Sequence, residues 1–325
     1  GEVGRSKFQI GSLSFLGSAG SGSAWLQLFA DSLPALGRNH VNFQLSAEAE
    51  YLRLSNNDAN RSEIDSISFG LQSAGATQGR IVDGQSVQIG LIPSPGEKNL
   101  MLPVITGQPL PATVAANSPA SFGVTAVGSE PMTLQWRRNG SDVTNATSNQ
   151  LQIQSATEND DGLYDLVATN SVGHATSLPA RLVVQLTFDQ WRANRFSPAE
   201  LADPNSSGST ADFDRDGTSN VQEYFQNSNP KLTDNSVTGI QVGQEPTTGS
   251  PSFLTLTYRQ SARATGLSIQ HQASPSLAPG SWLNVMPSTT TNIGSDVLTG
   301  DPIMRARFPV NAGETTKYLR LQITP

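Results

Sequence analysis

One stretch of this sequence combines residue types and spacing suited to a definite chemistry. Residues 212–223 read D-F-D-R-D-G-T-S-N-V-Q-E. Asp212, Asp214 and Asp216 alternate, so a tight loop can turn their carboxylates to one side. Gly217 follows where the chain must bend sharply, in a conformation that a Cβ would obstruct. Thr218 can offer its backbone carbonyl, Asn220 its amide oxygen, and Glu223 both carboxylate oxygens from the start of a following helix. Oxygen donors in this order suit a hard divalent cation, which takes about six to eight oxygens at about 2.3–2.6 Å. The expected ion is Ca2+, held by Asp212, Asp214, Asp216, Thr218, Asn220 and Glu223. Its role is expected to be structural, because a filled oxygen cage leaves no open position for a substrate.

The elements that must position these ligands are short helices. Ser219 and Gln222 form a capping box opening one helix, on which Val221, Tyr224 and Phe225 share a face. Ser197-Pro198-Ala199-Glu200 is a second capping box with proline at the first helical position. Upstream, L-T-F-D-Q-W-R-A-N-R-F (residues 186–196) predicts another helix with Phe188, Trp191 and Phe196 on its apolar side. Together the helices are expected to bury a small core around the ion site. The loop resembles the calcium loop of an EF-hand, with one departure. Paired EF-hands carry an aliphatic residue at the eighth position, where Ser219 stands, and no second loop is present. The whole segment, residues 186–235, resembles single dockerin-type and thrombospondin type 3 calcium motifs. It also resembles a segment that precedes the C-terminal domain of many secreted proteins of Verrucomicrobia and Planctomycetes.

The remainder of the chain reads as β-structure. Charged residues make up only 14% of the sequence, and short alternating apolar runs are separated by Gly, Pro and Asn turns. Residues 1–100 contain strand signals at 24–30, 41–45, 50–54, 63–69 and 86–92, with turns at Asn56-Asn57-Asp58 and Asp83-Gly84. Alternation puts Phe43, Leu45, Leu52, Leu54, Ile67 and Phe69 on inward faces. The stretches 41–55, 64–72 and 79–84, with a proline-rich ending at 93–99, resemble a bacterial lamin-tail domain. The first strands of that family are not found, and residue 1 is Gly without a leader. We therefore expect a C-terminal piece of a longer secreted protein, beginning inside its first domain.

Residues 104–185 contain Trp136 in M-T-L-Q-W-R-R-N-G and, later, D-D-G-L-Y-D-L-V-A-T-N-S-V-G (160–173). On these residues the segment resembles an immunoglobulin-like domain, with Trp136 where such a domain keeps its core tryptophan and 160–173 along its later signature. Tyr164 matches the tyrosine corner, while Val124 and Leu166 occupy the two half-cystine positions. An apolar contact against Trp136 is expected in place of the disulfide. Residues 236–325 are expected to form a last β-domain, with strands at 253–259, 267–273, 282–286, 303–310 and 318–323. They resemble the domain that follows the calcium segment in the same bacterial proteins. His271 is expected on a strand surface, and Trp282 in core packing rather than on a sugar ring.

Composition and missing motifs exclude much. With no cysteine there is no disulfide framework, zinc finger or thiol nucleophile. A net charge of -7 without a basic run argues against nucleic acid as a partner. No apolar run approaches a membrane span. We find no G-x-S-x-G elbow, phosphate loop or H-E-x-x-H. Asp31 and His40 could form an acid–base pair, but no nucleophile is marked near them, and Asp160-Asp161 and Asp301 fall at turns that favour Asp. The fold class expected is mainly β, tandem β-sandwiches with a short helical calcium segment. The function expected is a non-catalytic extracellular or cell-surface module for adhesion, spacing or ligand binding. The alternative is an accessory region of a secreted enzyme whose catalytic domain lies upstream. Its partner would be an extracellular protein or polysaccharide, and the fragment is expected to be monomeric.

Overall fold

A computed structural model describes residues 28–48, 50–56, 59–71, 77–80, 88–91, 99–233, 240–245, 252–296, 299–310 and 317–325. They fall into two compact units. One comprises residues up to 109 with 122–151 and 164–179; the other comprises 110–121, 152–163 and 180–325. The fold is mostly β, with a few short helices.

In the first unit, strands Glu50–Ser55 and Glu63–Phe69 pair antiparallel with Leu52 opposite Ile67. Thr77–Gly79 pairs with Gln88–Leu91. The strand expected over 41–45 is absent; only the single bridges Phe29–His40 and Asp31–Gln44 form there. Leu45 and Leu54 are exposed rather than inward, and Val41 is the one buried hydrophobic among the described residues of 28–71. The physical reason is layering. A two-stranded ribbon buries a face only when another element covers it. The residues expected at 24–27, the turn residues Asn57, Asp58, Asp83 and Gly84, and the ending at 93–98 lie outside the described residues.

The immunoglobulin-like strands in this unit follow the expected spacing. Thr133–Arg138 runs antiparallel to residues 164–169, with Leu166 opposite Trp136. Val104–Gly107 pairs with Thr125–Val127, and His174–Thr176 pairs back onto Val167–Thr169. Trp136 and Leu166 are fully buried, and Phe122, Val124 and Tyr164 nearly so. Phe122 stacks on Tyr164 at 4.9 Å and lies 6.1 Å from Trp136, whose indole N–H donates to the Ser148 carbonyl at 2.9 Å. An all-apolar centre thus occupies the place of the disulfide, and the one polar atom of Trp136 is satisfied.

In the second unit, strand Ala180–Gln185 runs parallel to Ala112–Ala115, and four helices follow it. We label these α1 (Phe188–Arg195), α2 (Pro198–Ala202), α3 (Pro204–Ser207) and α4 (Asn220–Gln226). After them come two sheets. The first has the order Gln241–Glu245, Phe253–Arg259, Pro302–Pro309, Thr289–Ser295; the second has Leu283–Asn284, Ser268–Ser274, Tyr318–Thr324. Leu256, Tyr258, Ala306 and Phe308 from one sheet meet Ala273, Leu319, Leu321 and Ile323 from the other. Instead of a small core of their own, the helices share this one: Phe188, Trp191, Phe196, Val221, Tyr224 and Phe225 belong to the same buried cluster.

Candidate metal centre

Local chemistry builds the helices as expected. Thr187 Oγ1 accepts from the Gln190 N–H (3.3 Å), and Gln190 Oε1 accepts from the Thr187 N–H (2.9 Å), closing a capping box at α1. The Ser197–Glu200 pair does the same at α2, with the Ser197 N–H on Glu200 Oε2 at 2.7 Å. At α4, Gln222 Oε1 accepts from the Ser219 N–H at 3.0 Å, and Asn227 ends the helix in the left-handed conformation.

Between α3 and α4 the acidic loop winds around its own carboxylates. The N–H groups of Gly217, Asp216 and Thr218 donate to Asp212 Oδ2 (2.9 Å), Asp214 Oδ1 (3.2 Å) and Asp216 Oδ1 (2.8 Å). Gly217, at φ +95°, takes the turn expected of it, and Arg215 is also left-handed at φ +63°. The opposite oxygens of the first two carboxylates, Asp212 Oδ1 and Asp214 Oδ2, are buried and accept no hydrogen bond. Asn220 is fully buried. Its amide donates to the carbonyls of Ser206 (3.1 Å) and Gly208 (2.9 Å), which fixes the amide orientation and leaves its Oδ1 buried without a partner. Glu223 is 1% exposed, one turn into α4. Helix α3 was not expected from the sequence, and it brings the Ser206 and Gly208 carbonyls to the Asn220 amide.

These residues fit a calcium ion. One oxygen from each of Asp212, Asp214 and Asp216 lies within 4.8 Å of the other two. Oxygens on opposite sides of one calcium, each at about 2.3–2.6 Å, are about 4.6–5.2 Å apart. Buried oxygens without donors cost free energy unless something positive meets them. Burial, and then the neighbouring charges of Asp216 and Asp212, push the Asp214 carboxyl above its ordinary range.

The back of the loop is tied to the helices by aromatic side chains. Phe213 lies edge-on to Phe196 at 5.6 Å, and Phe196 edge-on to Trp191 at 6.2 Å. Lys231 places its ammonium over both Phe196 (5.3 Å) and Phe213 (5.2 Å) and pairs with Glu200 at 2.7 Å. That hydrogen bond, aided by the Ser197 N–H, holds the Glu200 carboxyl down at about 2.

Other residues singled out by the sequence have structural partners. Asp31 and His40 do meet, Oδ2 to Nδ1 at 2.5 Å, with Phe29 stacked on the imidazole at 4.9 Å. Among the described hydrogen bonds none joins His40 to a hydroxyl, so no relay to a nucleophile is assembled. Arg137 is held by Asp165 at 2.7 Å, and His174 is exposed at the start of its strand. His271 corrects the surface expectation: it lies between the sheets, 5.5 Å from Phe308 and 6.1 Å from Tyr258, and burial lowers its pKa. Trp282 is half-buried, with the Arg320 guanidinium 4.3 Å above its ring. Asp160 makes the expected local bonds to Thr157. Asp161 instead has its side chain 4% exposed and pairs with Arg263 (3.0 Å) and Arg181 (3.7 Å). Beside it Glu158 binds Arg195 at 2.5 Å. No sequence signal announces this cluster, because its members are far apart in the chain, Asp161 and Arg263 by 102 positions.

Among the described residues no helix is long and apolar enough to cross a membrane. Residues 103–184 match the Immunoglobulin I-set domain family. Endoglucanase C of Cellulomonas fimi is 36% identical over 87 residues, which is 26% of this chain and 8% of that protein. The chain therefore spans less than a tenth of this curated relative. Among solved structures, titin domain M7 is 27% identical, covering 27% of this chain and 97% of that one, with a TM-score of 0.25. A chimeric titin Z1Z2 is 29% identical over 26% of this chain and 97% of that one, with a TM-score of 0.24.

Proposed function

We propose that this chain is a non-catalytic accessory module of an extracellular or cell-surface protein, stabilised by a structural calcium ion. The observation that carries the calcium reading is the set of buried, donor-less oxygens: Asp212 Oδ1, Asp214 Oδ2 and Asn220 Oδ1 belong to one short loop and its following helix start, at the sequence positions a hard-cation loop uses. Asp216, the Thr218 carbonyl and Glu223 complete the ligand set. The organisation proposed is fourfold: a lamin-tail-like domain (1–100), an immunoglobulin-like domain (104–185), the calcium segment (186–235) and a β-sandwich (236–325). The I-set match over residues 103–184 favours spacing, adhesion or ligand presentation over catalysis.

A second reading has one specific observation behind it, the partial identity to a cellulase. In that reading the module accompanies the catalytic part of a secreted polysaccharide-degrading enzyme, and its β-domains touch the polysaccharide or hold the enzyme at a surface. Two measurements test the proposal. Calcium is expected to raise the melting temperature and EGTA to reverse the rise. An Asp214→Ala variant that kept the full calcium response would sink the site. Retention on cellulose that is lost in Trp282→Ala would favour the second reading over the first.

A further inference from the structure

Helix α4 carries two proposed ligands, Asn220 and Glu223, and the very next side chain is committed elsewhere. Tyr224 is 2% exposed, packed against Phe188 (5.6 Å) and Trp191 (5.7 Å). Its hydroxyl accepts from the Thr265 N–H at 2.7 Å and sits within hydrogen-bond reach of two carbonyls, Leu186 and, at 2.8 Å, Thr265. Leu186 is where the chain leaves strand Ala180–Gln185, and Thr265 lies in the loop between the first two long strands of the sandwich. These two segments bond each other as well, Leu186 N–H to the Arg263 carbonyl at 2.9 Å and Thr265 N–H to the Leu186 carbonyl at 3.2 Å. The rest of α4 extends the same grip. The Ser261 N–H donates to the Phe225 carbonyl (2.7 Å), Arg259 Nε to the Gln226 carbonyl (2.5 Å), and Asn227 Nδ2 to the buried Asp301 (2.9 Å). Asp301 in turn accepts from the Ala262 N–H at 2.9 Å.

We propose that calcium occupancy of the 212–223 loop controls this three-segment clamp, and that the Tyr224 hydroxyl transmits it. The inference rests on the calcium reading above and adds a regulated target to it. The physical reason is stiffness and shortness. Glu223 and Tyr224 are adjacent on a seven-residue helix, so they move as one body about 1.5 Å apart along the axis. A helix this short has little stability of its own. Without a cation, the carboxylates of Asp212, Asp214, Asp216 and Glu223 repel one another across the helix N-terminus. The ion removes that repulsion and fixes the helix start. The helix then presents the Tyr224 hydroxyl to Leu186 and Thr265. Tyr224 is a positioning residue here, not a ligand.

The test is hydrogen exchange on the full 325-residue chain with calcium chloride, with EGTA, and with magnesium chloride as a control, while calorimetry reports binding. Calcium is expected to slow exchange of the Leu186, Ser261 and Thr265 amides at least about tenfold, together with the loop. In Tyr224→Phe, which keeps the ring, calcium is expected to bind with wild-type affinity and still protect the loop. Protection of Leu186 and Thr265 is expected to lose its calcium dependence. Absence of calcium binding to the wild type overturns both the site and the clamp. Binding that protects only the loop in the wild type, or a Tyr224→Phe protein whose clamp still responds in full, overturns the clamp alone. If Tyr224→Phe does not fold, the wild-type comparison with and without calcium decides.

Discussion

The immunoglobulin-like core and the helical segment around the acidic loop are both dense in aromatic side chains, yet they close around opposite centres. In the first, strands pair across a sheet and the buried centre is apolar: Trp136, Leu166, Val124 and Phe122 leave no polar atom of Trp136 unmet. In the second, helices of eight, five, four and seven residues surround a loop whose buried atoms include oxygens without donors. Helices of that length are marginal in water by themselves. The difference teaches that one region satisfies its buried polar atoms within the polypeptide, while the other leaves buried carboxylate and amide oxygens without donors, which is the basis of the cation proposed for it.

Four predictions can break or sharpen that contrast. The largest effect is expected at Trp136: Trp136→Ala should cost about 3–5 kcal/mol in denaturant unfolding, as large-to-small substitutions of buried aromatics do. The calcium-induced rise in melting temperature should survive in that variant if the protein still folds at low temperature. Loss of the calcium response would show that the two regions are not separable in this way. Next comes the ion. If the affinity is that of an extracellular module, about 0.1–1 mM, then 10 mM calcium should add about 1.4–2.7 kcal/mol, and Asp214→Ala should abolish the increment.

A smaller effect is expected from acid. Burial depresses the His271 pKa below its ordinary 6.5, so the folded sandwich prefers the neutral ring. Stability should therefore fall as pH drops through 6.5 toward the folded-state value. In EGTA, so that the proposed metal site does not contribute, urea midpoints at pH 7.5 and 5 should differ less in His271→Leu than in the parent. The smallest effect belongs to the exposed pair of Glu200 and Lys231. The Glu200 carboxyl is lowered from 4.5 to about 2, so its contribution is present above 4.5 and lost as pH falls from there to about 2. Glu200→Gln should remove that slope, lowering midpoints slightly near neutral pH and leaving those near pH 2 unchanged. A steep change at neutral pH would mean that Lys231 needs the carboxylate to stay over Phe196 and Phe213.

The features legible in advance were those written in short-range order. Alternating aspartates before Gly217 mark a tight turn wound around its own carboxylates, because neighbouring residues alone decide which way those carboxylates turn. The capping boxes at Ser197 and Ser219 mark helix starts for the same reason. The spacing from Trp136 to Tyr164 and Leu166 marked the immunoglobulin-like strands, since cross-strand register repeats a fixed geometry. Strand Thr289–Ser295 gave no such signal: every residue in it is exposed, so it shows no apolar alternation.

The sequence by itself determined the tight turn at Gly217, the starts of the helices at Ser197 and Ser219 and the apolar replacement for a disulfide. Each depends on residues a few positions apart or on a spacing that one fold repeats. Only the tertiary structure decided that Leu45 and Leu54 face outward, that His271 lies between sheets, and that Asp161 meets Arg263. It also decided that the Asn220 amide is anchored by Ser206 and Gly208, and that Tyr224 reaches Leu186 and Thr265, 38 and 41 positions away. Those outcomes depend on which layer covers a face and which distant backbone comes alongside. Packing settles both, and no local periodicity encodes them.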